Sequence, residues 1–493
     1  MTSSVGRNAK WSLVQTIVGA LTVFVLYKFL YGHLGPDKLG LWTVVLASVS
    51  VGRLAELGLS TTVLRFVSMH LAAGDRARAA DILETGIVSI GAPFALILLI
   101  CYPLATAAMQ YVVPGENVAG ARGILPFAFA TLWFGVTGTI VQSALDGCGR
   151  MDVKSRILIV GNLVYVAAAI LMVQEWGIVG LAVCQLLQAA LVGVLVWVAT
   201  RRELPGLQGA PVKWDRSCFR EIIGYAAGLQ LGNLLLLLFE PATKILLSRY
   251  CGLSEVAHFE MANQVVSRVR GLVTSAMQAY LPVLSSTGSA IDTARGMVGE
   301  ASFFISRLGL PLMAGLVISY PVISILWIDH MQPDFIVYGW ILGTGWLVAT
   351  MAMPTYYYCV GAGRIRAILA SQALTVGLNT VLGFSAALLG LGRWVAVSMM
   401  VSLAAGNLIT TARALADLGT SIKKILQIAA ARDAINVVLR TVAVIAFHIG
   451  VSLSTSSNSL AYANFAVSSA LLLLILYLSH AAAVLVGRNP KGR

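Results

Sequence analysis

Residues 11–31 read WSLVQTIVGALTVFVLYKFLY, an apolar run interrupted by Gln15 and Lys28. Wound as a helix at about 1.5 Å per residue, such a run crosses the roughly 30 Å hydrocarbon core of a bilayer. Arg7 and Lys10 stand before it, yet it is too long for a signal-peptide core and no small-residue cleavage site follows. It reads as a retained first helix.

Runs of this kind recur to the end of the chain, over approximately 11–32, 39–69, 83–112, 121–147, 156–174, 177–200, 219–248, 254–284, 297–326, 335–359, 365–389, 392–413, 434–454 and 459–486. Of the 493 residues 58% are hydrophobic and 11% charged, and mean hydropathy is +0.84. Soluble domains carry about a quarter charged residues, so the expectation is an all-α polytopic membrane protein. About 14 transmembrane helices of roughly 20 residues leave only short loops and no room for a soluble catalytic domain.

Lys and Arg number 34 against 21 Asp and Glu, a net charge of +13. With the N-terminus in the cytoplasm, basic residues crowd the even-numbered connections and the termini, among them Arg76, Arg78, Arg150, Lys154, Arg156, Arg201, Arg202, Lys213, Arg216, Lys423 and Lys424. The opposite side holds Lys38, Arg122, Arg249 and Arg393. That asymmetry predicts cytoplasmic N- and C-termini and sets orientation. It is not a nucleic-acid footprint, because no basic cluster interleaves with aromatics. The six cysteines form no C-x-x-C and the six histidines no H-x-x-x-H, so no metal or other cofactor is expected.

The chain repeats itself. Gly35 answers to Gly252 at an offset of 217, Gly147-Cys148-Gly149-Arg150 to Gly361-Ala362-Gly363-Arg364 at 214, and Asn162 to Asn379 at 217. A duplicated six-helix unit follows, with parallel copies related about an axis near the membrane normal. The expected organisation is an N-terminal lobe over 1–200 and a cytoplasmic inter-lobe linker over 201–218 (RRELPGLQGAPVKWDRSC). A C-terminal lobe covers 219–416, and two further helices with a tail cover 417–493.

Ionised groups inside a bilayer are costly, on the order of 3 kcal/mol or more, and so mark candidate sites. Lys28, Arg53, Lys244, Arg268, Arg270 and Arg307 outnumber Glu56, Glu240 and Glu260 within the spans. Arg53 and Arg270 are related by the 217 offset, so they would face one cavity from two lobes. Guanidinium grips phosphate oxygens through paired hydrogen bonds, which makes an anion the fitting ligand. The alternative is internal neutralisation, since Glu56 lies three residues after Arg53 and Lys244 four after Glu240. Gln15, Gln230, Asn233 and Asn263 are candidate sugar contacts, or alternatively interhelical hydrogen bonds. Pro354 with Tyr356, Tyr357 and Tyr358 reads as a kinked helix end in an aromatic belt.

The stretch Leu34–Trp42 (LGPDKLGLW), then Glu56-Leu57-Gly58-Leu59-Ser60 and Leu64-Arg65-Phe66-Val67, resembles the Wzx-type polysaccharide flippases. These O-antigen and exopolysaccharide translocases belong to the multidrug/oligosaccharidyl-lipid/polysaccharide exporter superfamily. Lys244–Arg249 (KILLSR), Gly252, Phe259, Ala262 and Tyr280–Ser285 (YLPVLS) extend the similarity over roughly residues 10–420. The family usually carries Asp where Glu56 stands and where Glu240-Pro241 falls. The resemblance implies two six-helix lobes around a cationic cavity and two extra C-terminal helices. It also implies a substrate, an undecaprenyl-diphosphate-linked oligosaccharide flipped from the cytoplasmic to the outer leaflet of the bacterial inner membrane by alternating access. Glu56, Glu240 and Glu260 would be candidates for ion coupling. The chain would act as a monomer and not as an enzyme, amid membrane lipid and alongside the polymerase and chain-length or export proteins of its pathway. A multidrug or organic-cation antiporter of the same superfamily is the main alternative, and a membrane-embedded glycan polymerase a further one.

Overall fold

The computed structural model describes residues 2–50, 52, 59–207, 209–229, 238–278, 291–305 and 309–420. Fourteen α-helices account for nearly all of them, and among the described residues there is no strand. They are α1 (Thr2–Ser50), α2 (Leu59–Ala72), α3 (Arg76–Val112), α4 (Val118–Gly147), α5 (Met151–Glu203), α6 (Arg216–Leu229) and α7 (Phe239–Tyr250). There follow α8 (Leu253–Gln278), α9 (Ile291–Phe304), α10 (Leu310–Ile328), α11 (Pro333–Met351), α12 (Met353–Gly361), α13 (Ile365–Leu388) and α14 (Trp394–Asp417). The two C-terminal helices expected over 434–454 and 459–486 lie outside the described residues.

Among the described residues seven helical stretches are long and apolar enough to cross a membrane, and two of them, α1 and α5, break internally. Helices α1 and α5 run 49 and 53 residues, about 75–80 Å at 1.5 Å per residue and more than twice a bilayer core. Each breaks at a glycine with positive φ, Gly35 (77°) and Gly177 (56°), a region open to a residue without Cβ. The break turns α5 into a hairpin. Arg150, its N-cap, and Glu203, its last residue, meet at 2.5 Å, and Gln188 Nε2 donates to Asn162 Oδ1 at 2.9 Å between the arms. Both breaks fall where the sequence separates 11–32 from 39–69 and 156–174 from 177–200. By contrast the run 335–359 is two helices, α11 and α12. Pro354, lacking an N–H, is accommodated in the first turn of α12, where no intrahelical partner is needed.

Packing divides the chain into two units, Met1–Ala257 and His258–Arg493. In the first, one end gathers the N-terminus, the α4–α5 turn, the end of α5 and the start of α3. Asn8 Nδ2 donates to Gly149 O (3.0 Å) and Asn8 Oδ1 accepts from Asp152 N (3.1 Å). The connection from Leu204 to Asp215 is strapped along α3: Lys213 Nζ reaches Asp81 at 2.5 Å and Trp214 Nε1 reaches Ser89 Oγ at 3.0 Å. Asp215 then caps α6, accepting from Ser217 and Cys218 N–H at 2.8 and 2.9 Å. At the other end Ser248 Oγ donates to Val112 O at 2.7 Å, docking α7 on α3.

The second unit is sewn by Tyr320 Oη, which donates to Ala262 O at 2.8 Å, and by Phe259 edge-on to Tyr338. Tyr357 is buried in a core with Val273, Met277, Val298 and Ile305, so this tyrosine serves packing and not an interfacial belt. The repeated G-x-G-R turns take one conformation. Arg150 N bonds Leu145 O and Gly149 N bonds Asp146 O; Arg364 N bonds Cys359 O and Gly363 N bonds Val360 O. Both are Schellman caps, with Gly149 at φ 71° and Gly363 at φ 66°.

Candidate functional site

Helix α8 carries a polar stripe. From His258 onward, Glu260, Asn263, Gln264, Ser267 and Arg270 recur at intervals of three and four and therefore share a face. Glu260 is 5% exposed and Asn263 7%, and Gln264 Nε2 donates to Glu260 Oε1 at 2.6 Å. The Arg270 guanidinium carbon lies 3.9 Å from the ring centroid of Trp346 on α11. The ring quadrupole attracts the cation, and guanidinium is the group that meets a carboxylate or phosphate through paired hydrogen bonds. Arg268 is two residues earlier, hence about 200° around the helix, and is exposed.

Lys244 on α7 is buried and its Nζ sits 2.6 Å from Glu240 Oε1, one turn away, with Glu240 41% exposed. The ion pair allowed by the spacing is thus formed. Lys28 and Gln15 on α1 are half-buried. Thirteen residues apart, they face about 220° from each other and share no stripe. Arg53, Arg307, Glu56, Gln230 and Asn233 lie outside the described residues. The structure therefore brings Glu240 to Lys244, and Glu260, Asn263 and Arg270 onto one helix face.

The sequence reading missed Trp346. Its only signal is position: a tryptophan in the middle of the 335–359 run, away from the water interfaces where Trp is enriched. Among the described residues no group of three or more His, Cys, Asp or Glu is arranged to hold a metal ion.

The fold is shared by solved membrane transporters. The lipid II flippase MurJ in an inward closed conformation superposes with a TM-score of 0.72 at 12% identity, covering 97% of this chain and 98% of that one. An inward-facing multidrug resistance MATE transporter of the MOP superfamily gives 0.63 at 17%, over 85% and 99%. A MOP-superfamily transporter from Pyrococcus furiosus, reported with a binding pocket of reversed polarity, gives 0.60 at 14%, over 84% and 95%. No curated protein matches the sequence. A multi-pass helical chain of this architecture has the MurJ- and MATE-like membrane transporter fold. Residues 34–333 match the family described as polysaccharide biosynthesis protein, and the chain belongs to that family.

Proposed function

We propose that this protein is a flippase. It moves undecaprenyl-diphosphate-linked oligosaccharide repeat units from the cytoplasmic to the outer leaflet of the bacterial inner membrane by alternating access, supplying surface or exopolysaccharide assembly. The observation that carries the reading is Arg270 placed over the ring of Trp346 on the polar face of α8, in a chain of the polysaccharide biosynthesis family. A guanidinium already oriented loses less freedom on gripping a diphosphate, so more of the contact energy remains for binding. Arg53, Lys28, Lys244, Arg268 and Arg307 supply further positive charge, and Asn263, Gln15, Gln230 and Asn233 are the sugar contacts. Transfer of the anionic headgroup outward is favoured by an inside-negative potential by about 2.3 kcal/mol per charge per 100 mV. Glu56, Glu240 and Glu260 are the candidates for ion coupling.

Arg7, Arg78, Arg150, Lys154 and Arg156 collect at one end of the first unit, which supports cytoplasmic termini. The lobes are 1–200 and 219–416, joined by 201–218. One chain suffices as a monomer, working with the polymerase and the chain-length or export proteins of the same pathway. The buried Glu260 favours a second reading, organic-cation antiport. Proteoliposomes decide between them. Translocation of a fluorescent polyprenyl-diphosphate oligosaccharide by wild type, lost in Arg270→Ala of unchanged thermal stability, is the expected result. If wild type does not move this lipid while a control flippase does, the substrate assignment fails. Cation export that depends on Glu260 and survives Arg270→Ala would establish the antiporter.

A further inference from the structure

A cavity of about 340 Å³ opens between the two arms of the α5 hairpin, lined by Arg150, Arg156, Ala199, Arg202 and Glu203. The internal repeat separates what the fold needs here from what it does not. Arg150 and Glu203 stand 53 positions apart and pair at 2.5 Å; Arg364 and Asp417, also 53 apart, pair at 2.7 Å in the second unit. This latch is common to both units and belongs to the architecture. At the same 214 offset, however, Arg156 answers to Ala370 and Arg202 to Ala416. Ala199 answers to Arg413, whose Nη2 reaches Asp417 Oδ1 at 3.0 Å and bridges the position that Ala199 leaves open. The second unit is built without either extra arginine.

Charge at the cavity is not balanced. Asp152 lies 3.2, 3.6 and 3.0 Å from Arg7, Arg150 and Arg156, and Glu203 takes Arg150. Three guanidiniums thus share these two carboxylates, and among the described residues no carboxylate pairs with the fourth, Arg202. Below the arginines the surface turns apolar along the same helix faces. Val160 and Val164 follow Val153, Arg156 and Ile157 on one arm, and Leu195 precedes Ala199 and Arg202 by four and seven residues on the other. Val160 and Val164 are 48% and 45% exposed.

We propose that this cavity is a binding site for an anionic phospholipid. Its phosphate oxygens lie against Arg156 and Arg202 with Arg150 at the back, and an acyl chain runs down the valine groove. Basic pockets between membrane helices at headgroup level recognise anionic lipid by this combination. A free phosphate shares the headgroup chemistry and would make no use of the valines. The site is independent of the translocated substrate.

The test is native mass spectrometry of the purified full-length protein with phosphatidylglycerol, phosphatidylcholine or inorganic phosphate. Phosphatidylglycerol adducts should survive on wild type and phosphatidylcholine adducts should not. Arg202→Gln should weaken retention about fivefold, the loss of one exposed charge-assisted contact, and Arg156→Gln should weaken it further. Arg76→Gln, an exposed arginine of the same end that lines no part of the cavity, should change nothing. Should Arg156→Gln disturb folding through Asp152, Arg202→Gln carries the test. The proposal is overturned if Arg76→Gln loses as much lipid as Arg202→Gln, if phosphatidylcholine is retained equally, or if inorganic phosphate displaces the lipid at equal concentration.

Discussion

Replacing Trp346 with leucine removes the platform on which Arg270 rests while leaving every charge in place. The guanidinium carbon is 3.9 Å from the ring centroid and both residues are half-buried. A cation–π contact gains about 0.5–1 kcal/mol in full exposure and about 2 when desolvated, so about 1–1.5 kcal/mol applies at this site. That energy is about a five- to tenfold change in an equilibrium constant. If the ring serves to orient the arginine for an anionic headgroup, the change falls on substrate affinity. Initial rates of lipid-linked oligosaccharide translocation in proteoliposomes, titrated over substrate, should show a half-saturating concentration raised about five- to tenfold with the maximal rate nearly kept. Trp346→Phe should fall between wild type and Trp346→Leu. In an Arg270→Gln background Trp346→Leu should add little, because the coupled pair is already broken. An equal loss on leucine substitution in both backgrounds would refute the reasoning, since the ring would then act without the arginine.

Two further outcomes concern the scaffold. The Asp215 carboxyl is held down to about 2, chiefly by the Ser217 hydroxyl and then by the Cys218 N–H. Its unfolded value lies near 3.9, so the strap from Leu204 to Asp215 keeps this contribution above about pH 4 and loses it as pH falls toward 2. Pepsin cleavage within the strap should accelerate over that window, Asp215→Ala should be cleaved fast already at pH 4.5, and a flat wild-type profile would contradict the cap. A Cβ at Gly406 would lie 1.9 Å from Thr375 Oγ1 and 2.7 Å from Ser371 O. Gly406→Ala should therefore push α14 off α13, cost about 1–3 kcal/mol and lower the thermal unfolding midpoint in detergent. Gly377→Ala on α13, whose Cβ would meet nothing within 4 Å, should not.

The spans 11–32, 83–112, 121–147, 156–174, 177–200, 365–389 and 392–413 fall in described helices and were legible, as were the breaks near 35 and 177, because hydropathy and glycine act locally. Twenty apolar residues specify a crossing helix, and Gly35 and Gly177 mark the places where only a residue without Cβ takes the required φ. The split of 335–359 was harder: Pro354 announces a disturbance, but whether it kinks a helix or starts one depends on the preceding residues' tertiary fit. The candidate site was half legible. Intramembrane charge identified Arg270 and the Glu240–Lys244 pair, whereas Trp346 is joined to Arg270 across 76 positions and has no periodic signal of its own. Arg202 looked like one more orientation charge at a helix end, because its relation to Arg150 and Arg156 exists only once α5 folds back on itself.

The internal repeat supplies the comparison that separates structural from functional charge. Interactions present in both units, such as the Schellman caps after α4 and α12 and the Arg150–Glu203 and Arg364–Asp417 latches, are requirements of the helix hairpins themselves. Arg156 and Arg202 have alanine at their counterparts, so hairpin packing does not demand them. Arg270 belongs to a third kind. Its counterpart is Arg53, and the 217 offset sets Phe129 opposite Trp346, so each half of the chain carries an arginine and an aromatic ring at corresponding positions. An ionised arginine inside a bilayer costs free energy. Its recurrence in the sequence beside an aromatic position supports the anion site proposed for Arg270.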